Sequence, residues 1–147
     1  MILMPEMTKD EIRSFLLQGT FTGKLGTINK NGTPHVVPIW YTIDNEDNII
    51  FNTDGNSVKA KNIQRGNRVR LCVDDQFPLY SFVTIDGIAE IISDEPAEIF
   101  KWAKTIAARY MGYDKAEEYG KRNSSKGELL LKIKPYKVIG QKDLAGW

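Results

Sequence analysis

The sequence predicts a mainly β chain of the α+β class: six antiparallel strands bent far enough to close a small barrel, with helices inserted between and around them. Three observations carry that prediction. Asn31-Gly32 lies between two apolar-rich runs, residues 24–29 and 34–43, and supplies the positive-φ positions that a tight hairpin turn requires. Asp86-Gly87 interrupts the long stretch 80–92 without the flanking pattern of a hairpin, so it marks a bulge or bend inside one strand, as closing a small barrel requires. Segments with helix-start signals stand before, between and after these runs, at 8–18, at 57–63 and from Pro96 onward.

Taken in order, Thr8-Lys9-Asp10-Glu11 matches a capping box: the Thr8 hydroxyl accepts from the Glu11 N–H while the Glu11 carboxylate reaches back. Ile12, Phe15 and Leu16 follow at helical spacing, and Gly19 stops the helix. The hairpin 24–43 comes next, then a turn over 44–48 and a third strand at 49–53. The chain breaks at Asp54-Gly55-Asn56, and Ser57, a good N-cap, opens a short basic helix. The free N–H groups of a first helical turn, with the positive end of the helix dipole, favour an anion, and Lys59 and Lys61 add two cations beside them. Lys59, Lys61 and Arg65 also fit the ordinary solvated face of a short helix, so the spacing alone decides nothing.

Residues 68–73 form a fourth strand, closed by the break at 74–78, and residues 80–92 form the fifth. Pro96 lies in the first turn of a helix whose apolar stripe is Ile99, Trp102, Ala103, Ile106 and Ala107, ending near Met111-Gly112. A shorter helix over 113–122 and a turn at 124–127 lead to the sixth strand, 128–139, where Leu129, Leu131 and Ile133 alternate with Leu130, Lys132 and Lys134.

The 147 residues read as a single domain, 1–147, whose modest core a second copy would help to complete. A net charge of +1 with 27% charged residues carries no stripe for nucleic acid. Cys72, in the run Val69-Arg70-Leu71-Cys72-Val73, reads as a buried strand thiol without a disulfide partner, which fits a reducing compartment. The apolar part of the N-terminus is too short for a secretory signal, and no run approaches the ~18 apolar residues of a membrane span, so a cytoplasmic, non-membrane protein is expected.

His35 is the only histidine, and no Cys, His and carboxylate spacing suits a metal, so no metal site is expected. A nucleophile–base pair of Cys72 with His35 is disfavoured because Cys72 sits in mid-strand; His35 itself reads equally as a surface or a functional residue. P-loop, Rossmann and Gly-x-Ser-x-Gly patterns are absent from the sequence. What remains is an organic ligand or cofactor held by backbone groups of the barrel, with its phosphate on Ser57, Lys59 and Lys61.

Three motifs in order carry a resemblance: Gly26-Thr27-Ile28 through Asn31-Gly32-Thr33-Pro34-His35-Val36-Val37-Pro38-Ile39-Trp40, then Ser57 to Ile63, then Arg68 to Asp75. With them, nearly the whole chain resembles the flavin and deazaflavin oxidoreductases of the pyridoxamine 5'-phosphate oxidase-like superfamily, the split β-barrel. Ala108-Arg109-Tyr110-Met111-Gly112 with Glu118-Tyr119-Gly120 is similar to the branch dependent on the deazaflavin coenzyme F-420.

The resemblance implies a homodimer with two equivalent sites at the subunit interface. It implies that the tricyclic ring of FMN or coenzyme F-420 lies against Val37, Pro38, Ile39 and Trp40, and the phosphate on Thr53, Ser57, Lys59, Lys61 and Asn62. Lys59 matches the most regular phosphate position, whereas Ser57 stands where many relatives carry arginine. Tyr80, Phe82 and Trp147 are candidates for contributions from the partner subunit, and residues 142–147 for cover over the open face of the ring.

The activity implied is hydride transfer between the cofactor and a small unsaturated organic substrate; the cofactor carries that chemistry, and individual catalytic residues are not named by it. The alternative is a non-catalytic carrier or sensor binding flavin, haem or another ligand in the same barrel, with His35 as the one histidine on offer to haem.

Overall fold

The computed structural model describes residues 6–146. The elements are α1 (Lys9–Leu16), β1 (Gly23–Ile28), β2 (Pro34–Ile39), β3 (Thr42–Ile43), β4 (Ile49–Asp54), α2 (Val58–Arg65), β5 (Arg68–Asp75), β6 (Ser81–Ser93), α3 (Pro96–Met111), a 3-10 turn (Tyr113–Lys115), α4 (Ala116–Arg122) and β7 (Glu128–Gln141). All strands pair antiparallel in one sheet of order β2-β1-β5-β6-β7-β4-β3.

That order shows how the sheet closes. Its two edge strands, β2 and β3, are consecutive in the chain and separated only by Trp40 and Tyr41. A two-residue link cannot cross a flat sheet of this width, since each residue reaches at most ~3.6 Å, so the sheet curls until its edges meet. The single strand expected over 34–43 is therefore two strands on opposite edges, and the count is seven, not six. The hydrophobic pattern runs straight through this corner because Ile39 and Tyr41, on either side of it, are both buried.

The corner is held from α1 and α3. Tyr41 is fully buried, and its hydroxyl donates to the Leu16 carbonyl. Arg109, on α3, donates to the carbonyls of Leu16 (2.8 Å), Gln18 (3.3 Å), Gly19 (2.9 Å) and Tyr41 (3.1 Å). Its guanidinium carbon lies 4.7 Å from the Tyr41 ring centroid and 4.9 Å from that of Tyr110. The Tyr110 hydroxyl donates to the Phe21 carbonyl at 2.7 Å. Burial pushes the Tyr41 phenol up to about 12, against the opposing pull of Arg109, so it remains a donor throughout the physiological range.

Inside the barrel, alternate residues of each strand form the core: Leu25 from β1, Val69, Leu71 and Val73 from β5, Val83 and Ile85 from β6, Ile133 from β7. The same alternation turns Cys72 outward. It is half-buried on the outer face, with its thiol pushed up first by burial and then by Asp74, so the expectation of a buried core thiol is corrected. β4 and the first part of β7 are buried on both faces because α3 covers their outside, where Ile50, Ile99 and Leu130 form a second small cluster against Trp102.

The bend at Gly87 is present as a register shift between β6 and β7. A Cβ there would lie 2.5 Å from Ile133 Cγ2 and 2.9 Å from the Lys134 carbonyl oxygen, so only glycine lets β7 approach. The capping box of α1 forms as read, with Thr8 N–H to Glu11 Oε1 at 2.9 Å and Glu11 N–H to Thr8 Oγ1 at 3.2 Å. Among the described residues, no helix is long and apolar enough to cross a membrane.

Candidate active site

The end of β2, the β4–α2 junction, α3 and α4 enclose a cleft of ≈ 490 Å³. Pro38, Ile39 and Trp40 line one side of it, and α3 contributes Ala103 and Ile106. Trp40 is fixed by stacking on Tyr110, ring centroids 5.1 Å apart and planes within 3°. The remaining walls are polar: Asn52, Thr53 and Asp54 from β4, Lys59 from α2, Tyr119, Arg122 and Asn123 at the end of α4, and Glu128 at the start of β7.

Local sequence explains these positions. Ser57 caps α2, its Oγ accepting from the Ala60 N–H at 3.2 Å and lying 3.2 Å from Thr53 Oγ1. The cap aims the first turn of α2 so that Lys59 enters the cleft, half-buried. Burial lowers the Lys59 pKa, and the nearby Glu128 and Asp54 carboxylates raise it against that. Asp54 and Glu128 are direct partners in the β4–β7 ladder. Like charges facing each other across a ladder repel, and burial pushes the Glu128 carboxyl above its ordinary value while a hydrogen bond from Asn52 opposes this. Asn52 Nδ2 donates to Glu128 Oε1 at 3.2 Å and to the Asn123 carbonyl at 2.6 Å, tying the end of α4 to β4.

Of the residues singled out from the sequence, Pro38, Ile39, Trp40, Thr53 and Lys59 meet in this cleft. Val37 does not line it, and Ser57 is engaged as the helix cap. Lys61 is exposed on α2 outside it. Asn62 is buried and faces β1, donating to Thr27 Oγ1 and Asn29 Oδ1 at 3.0 Å each and accepting from Arg65 at 3.1 Å. With its amide used in this way, Asn62 serves the barrel.

Tyr80 and Phe82 do not line the cleft. The N–H groups of Leu144 and Ala145 donate to the carbonyls of Tyr80 (2.9 Å) and Leu79 (3.1 Å), so the tail through Gly146 is fastened to the β5–β6 connection. Trp147 lies outside the described residues. His35 lies on β2 outside the cleft lining, its Nδ1 buried and without a hydrogen-bond partner among the described residues. No group of three or more His, Cys, Asp or Glu that would hold a metal occurs among the described residues.

Asn52, Asp54, Arg122, Asn123 and Glu128 escaped the sequence reading. Their signal was faint: all but Asn52 lie at element ends, and only the closed barrel brings β4, α4 and β7 to one place.

The fold is a curled antiparallel barrel whose cleft is lined both by the apolar end of β2 and by a partly desolvated lysine. The chain belongs to the pyridoxamine 5'-phosphate oxidase family, whose pattern matches residues 8–142, and its fold is that family's split β-barrel. It is 38% identical over 71 residues to the 5a,11a-dehydrotetracycline/5a,11a-dehydrooxytetracycline reductase of Streptomyces rimosus subsp. rimosus; the match covers 46% of this chain and 49% of that protein, about half the length of the curated relative. Among solved structures it is similar to a conserved hypothetical protein of Mycobacterium tuberculosis, with a TM-score of 0.80, 26% identity and coverage of 93% of this chain and 86% of that one. It also shares its fold with an F420 reductase, with a TM-score of 0.68, 22% identity and coverage of 85% and 94%.

Proposed function

We propose that this chain is a flavin- or deazaflavin-dependent oxidoreductase that moves a hydride between coenzyme F-420 or FMN and a small unsaturated organic substrate, working as a cytoplasmic homodimer. The observation that carries this reading is Lys59, a partly desolvated cation in a cleft that Pro38, Ile39 and Trp40 also line. An apolar wall suits a planar ring system and a lysine in a half-dry cleft suits a phosphate. At ≈ 490 Å³ the cleft also falls in the range of organic-ligand sites, roughly 300–1,000 Å³. Similarity to a reductase, matched over about half of that protein's length, supports redox chemistry.

When bound, the cofactor supplies the hydride. The protein's part is to hold and orient: Trp40, stiffened by Tyr110, and the neighbouring Pro38 and Ile39 form the packing surface, Lys59 neutralises the phosphate, and Ala103 and Ile106 keep water from that side. Pairing of two copies is supported by an apolar outer face on β1 and β2, where Ile28 is 54% and Val36 63% exposed beside Pro34 and Tyr136.

The test is the absorption spectrum and mass of what co-purifies, then titration with FMN and with coenzyme F-420, then oxidation of the reduced cofactor by a panel of quinones, enones and tetrapyrroles. Tight binding with turnover of one panel member is the expected result; tight binding without any turnover favours a carrier or sensor. One form of that second reading is a haem binder using His35, and a Soret band lost in His35→Ala would support it.

A further inference from the structure

We infer that the anionic end of the ligand is clamped between two cations from different helices, Lys59 of α2 and Arg122 of α4, which makes Arg122 a binding residue of the cleft. The inference rests on the reading above, that the cleft takes a phosphate-bearing cofactor.

The charges that line the cleft are Lys59, Arg122, Asp54 and Glu128. Lys59 by itself faces two carboxylates, so the charge around it is negative whenever Glu128 is ionised, and a phosphate monoester brings a further charge of roughly −1.5 to −2 at neutral pH. One lysine in that company is a poor anion site. Arg122 restores the balance, and its fixed fork of N–H groups fits phosphate oxygens.

Two features hold Arg122 ready. Its guanidinium lies 5.5 Å from the centroid of Tyr119, itself a cleft residue, and among the described residues it forms no ion pair and donates no hydrogen bond, whereas Lys24, Arg13, Arg70 and Lys142 each meet a carboxylate. The backbone beneath it is pinned as well. Asn123, the next residue, accepts from Asn52 at 2.6 Å, and Gly120 packs so closely on α3 that a Cβ would stand 3.0 Å from Lys104 Cα. Arg122 thus precedes a residue tied to β4, the strand that carries Thr53 and Asp54. Such pre-positioning lowers the ordering cost of binding.

The experiment compares FMN with riboflavin, which lacks the phosphate, on the wild type, Lys59→Ala, Arg122→Gln and Arg122→Lys, with thermal melts of each protein alone. Arg122→Gln should weaken FMN tenfold or more and leave riboflavin and the melting temperature unchanged, and Arg122→Lys should recover part of the loss. Unchanged FMN affinity in Arg122→Gln, or an equal loss for both ligands, overturns the clamp. Pyrophosphate, followed by its effect on the melting temperature, gives an arm independent of the ring. A rise in the wild type that is lost in both Lys59→Ala and Arg122→Gln supports the clamp, and no rise or one independent of Arg122 overturns it. If the wild type takes up neither FMN nor coenzyme F-420, the proposed function fails, and the pyrophosphate arm still decides the clamp.

Discussion

Arg109 and Arg122 are both stacked on tyrosines, both on the helical hairpin of α3 and α4, and they are opposite in kind. Arg109 lies between Tyr41 and Tyr110 and directs its donors to four backbone carbonyls, three at the end of α1 and one at the barrel corner. Arg122 covers a single ring at the edge of a cleft and, among the described residues, donates to nothing. An arginine whose three nitrogens are all engaged is part of the architecture; one held in place with its donors free is available to a ligand. The same contrast separates Asn62, consumed by Thr27, Asn29 and Arg65, from Lys59 on the same short helix.

Removing the engaged arginine should have the largest effect. Arg109→Ala leaves the carbonyls of Gln18, Gly19 and Tyr41 without their side-chain donor, leaves that of Leu16 with the Tyr41 hydroxyl alone, and frees the corner between β2 and β3. A loss of roughly 3 kcal/mol, on the order of 10 °C in melting temperature for a chain of this size, is expected. A melt identical to wild type would end the distinction between the two arginines.

Next in size is Lys59→Ala. A charge-assisted phosphate contact is worth about 1.5–3 kcal/mol, so dissociation constants for FMN and for coenzyme F-420 should rise roughly ten- to a hundredfold while the fold persists. Unchanged constants for both would remove Lys59 from the anion site.

Tyr41→Phe sharpens the comparison from the structural side. The Leu16 carbonyl keeps its bond from Arg109 when the Tyr41 hydroxyl is gone, so no acceptor is orphaned and the cost should be only about 1 kcal/mol by denaturant titration. A much larger loss would mean that Arg109 cannot hold the corner without the phenol.

The smallest effect belongs to Glu128→Gln and is read against pH. Burial raises the folded-state pKa of Glu128 above the ordinary 4.5, so between those values the folded protein binds more protons than the unfolded chain and stability falls as pH rises. The stabilisation linked to that proton is complete below the ordinary value and lost once pH passes the folded one. The glutamine variant keeps the oxygen that accepts from Asn52 and never ionises. It should melt slightly above wild type at neutral pH, with the gap closing as pH falls; a gap that does not depend on pH would remove Glu128 from the strained pair with Asp54.

Local signals read correctly because their cause is local. The hairpin turn forms with positive φ at Gly32 though not at Asn31, Thr8 and Glu11 cap α1 reciprocally, Ser57 caps α2, and Gly87 admits β7, each from geometry spanning a few residues or one strand crossing. Part of the site was legible for the same reason: the cap at Ser57 dictates where Lys59 can point, and Pro38 to Trp40 end the strand that follows the hairpin.

What the sequence by itself determined is the set of parts: a mainly β chain with an early capped helix, a basic helix after the third run of strand residues, and an apolar helix after the longest strand. Only the tertiary structure decided how they close. The run 34–43 divides between opposite edges of the sheet because the sheet must curl until β2 and β3 meet, and what holds the corner comes from Arg109, 68 residues from Tyr41 and 93 from Leu16. Cys72 faces outward because Val69, Leu71 and Val73 claim the interior. Glu128, Asp54, Asn52 and Arg122 become neighbours by β4–β7 pairing and by the packing of α4 on α3, contacts that local propensity cannot encode.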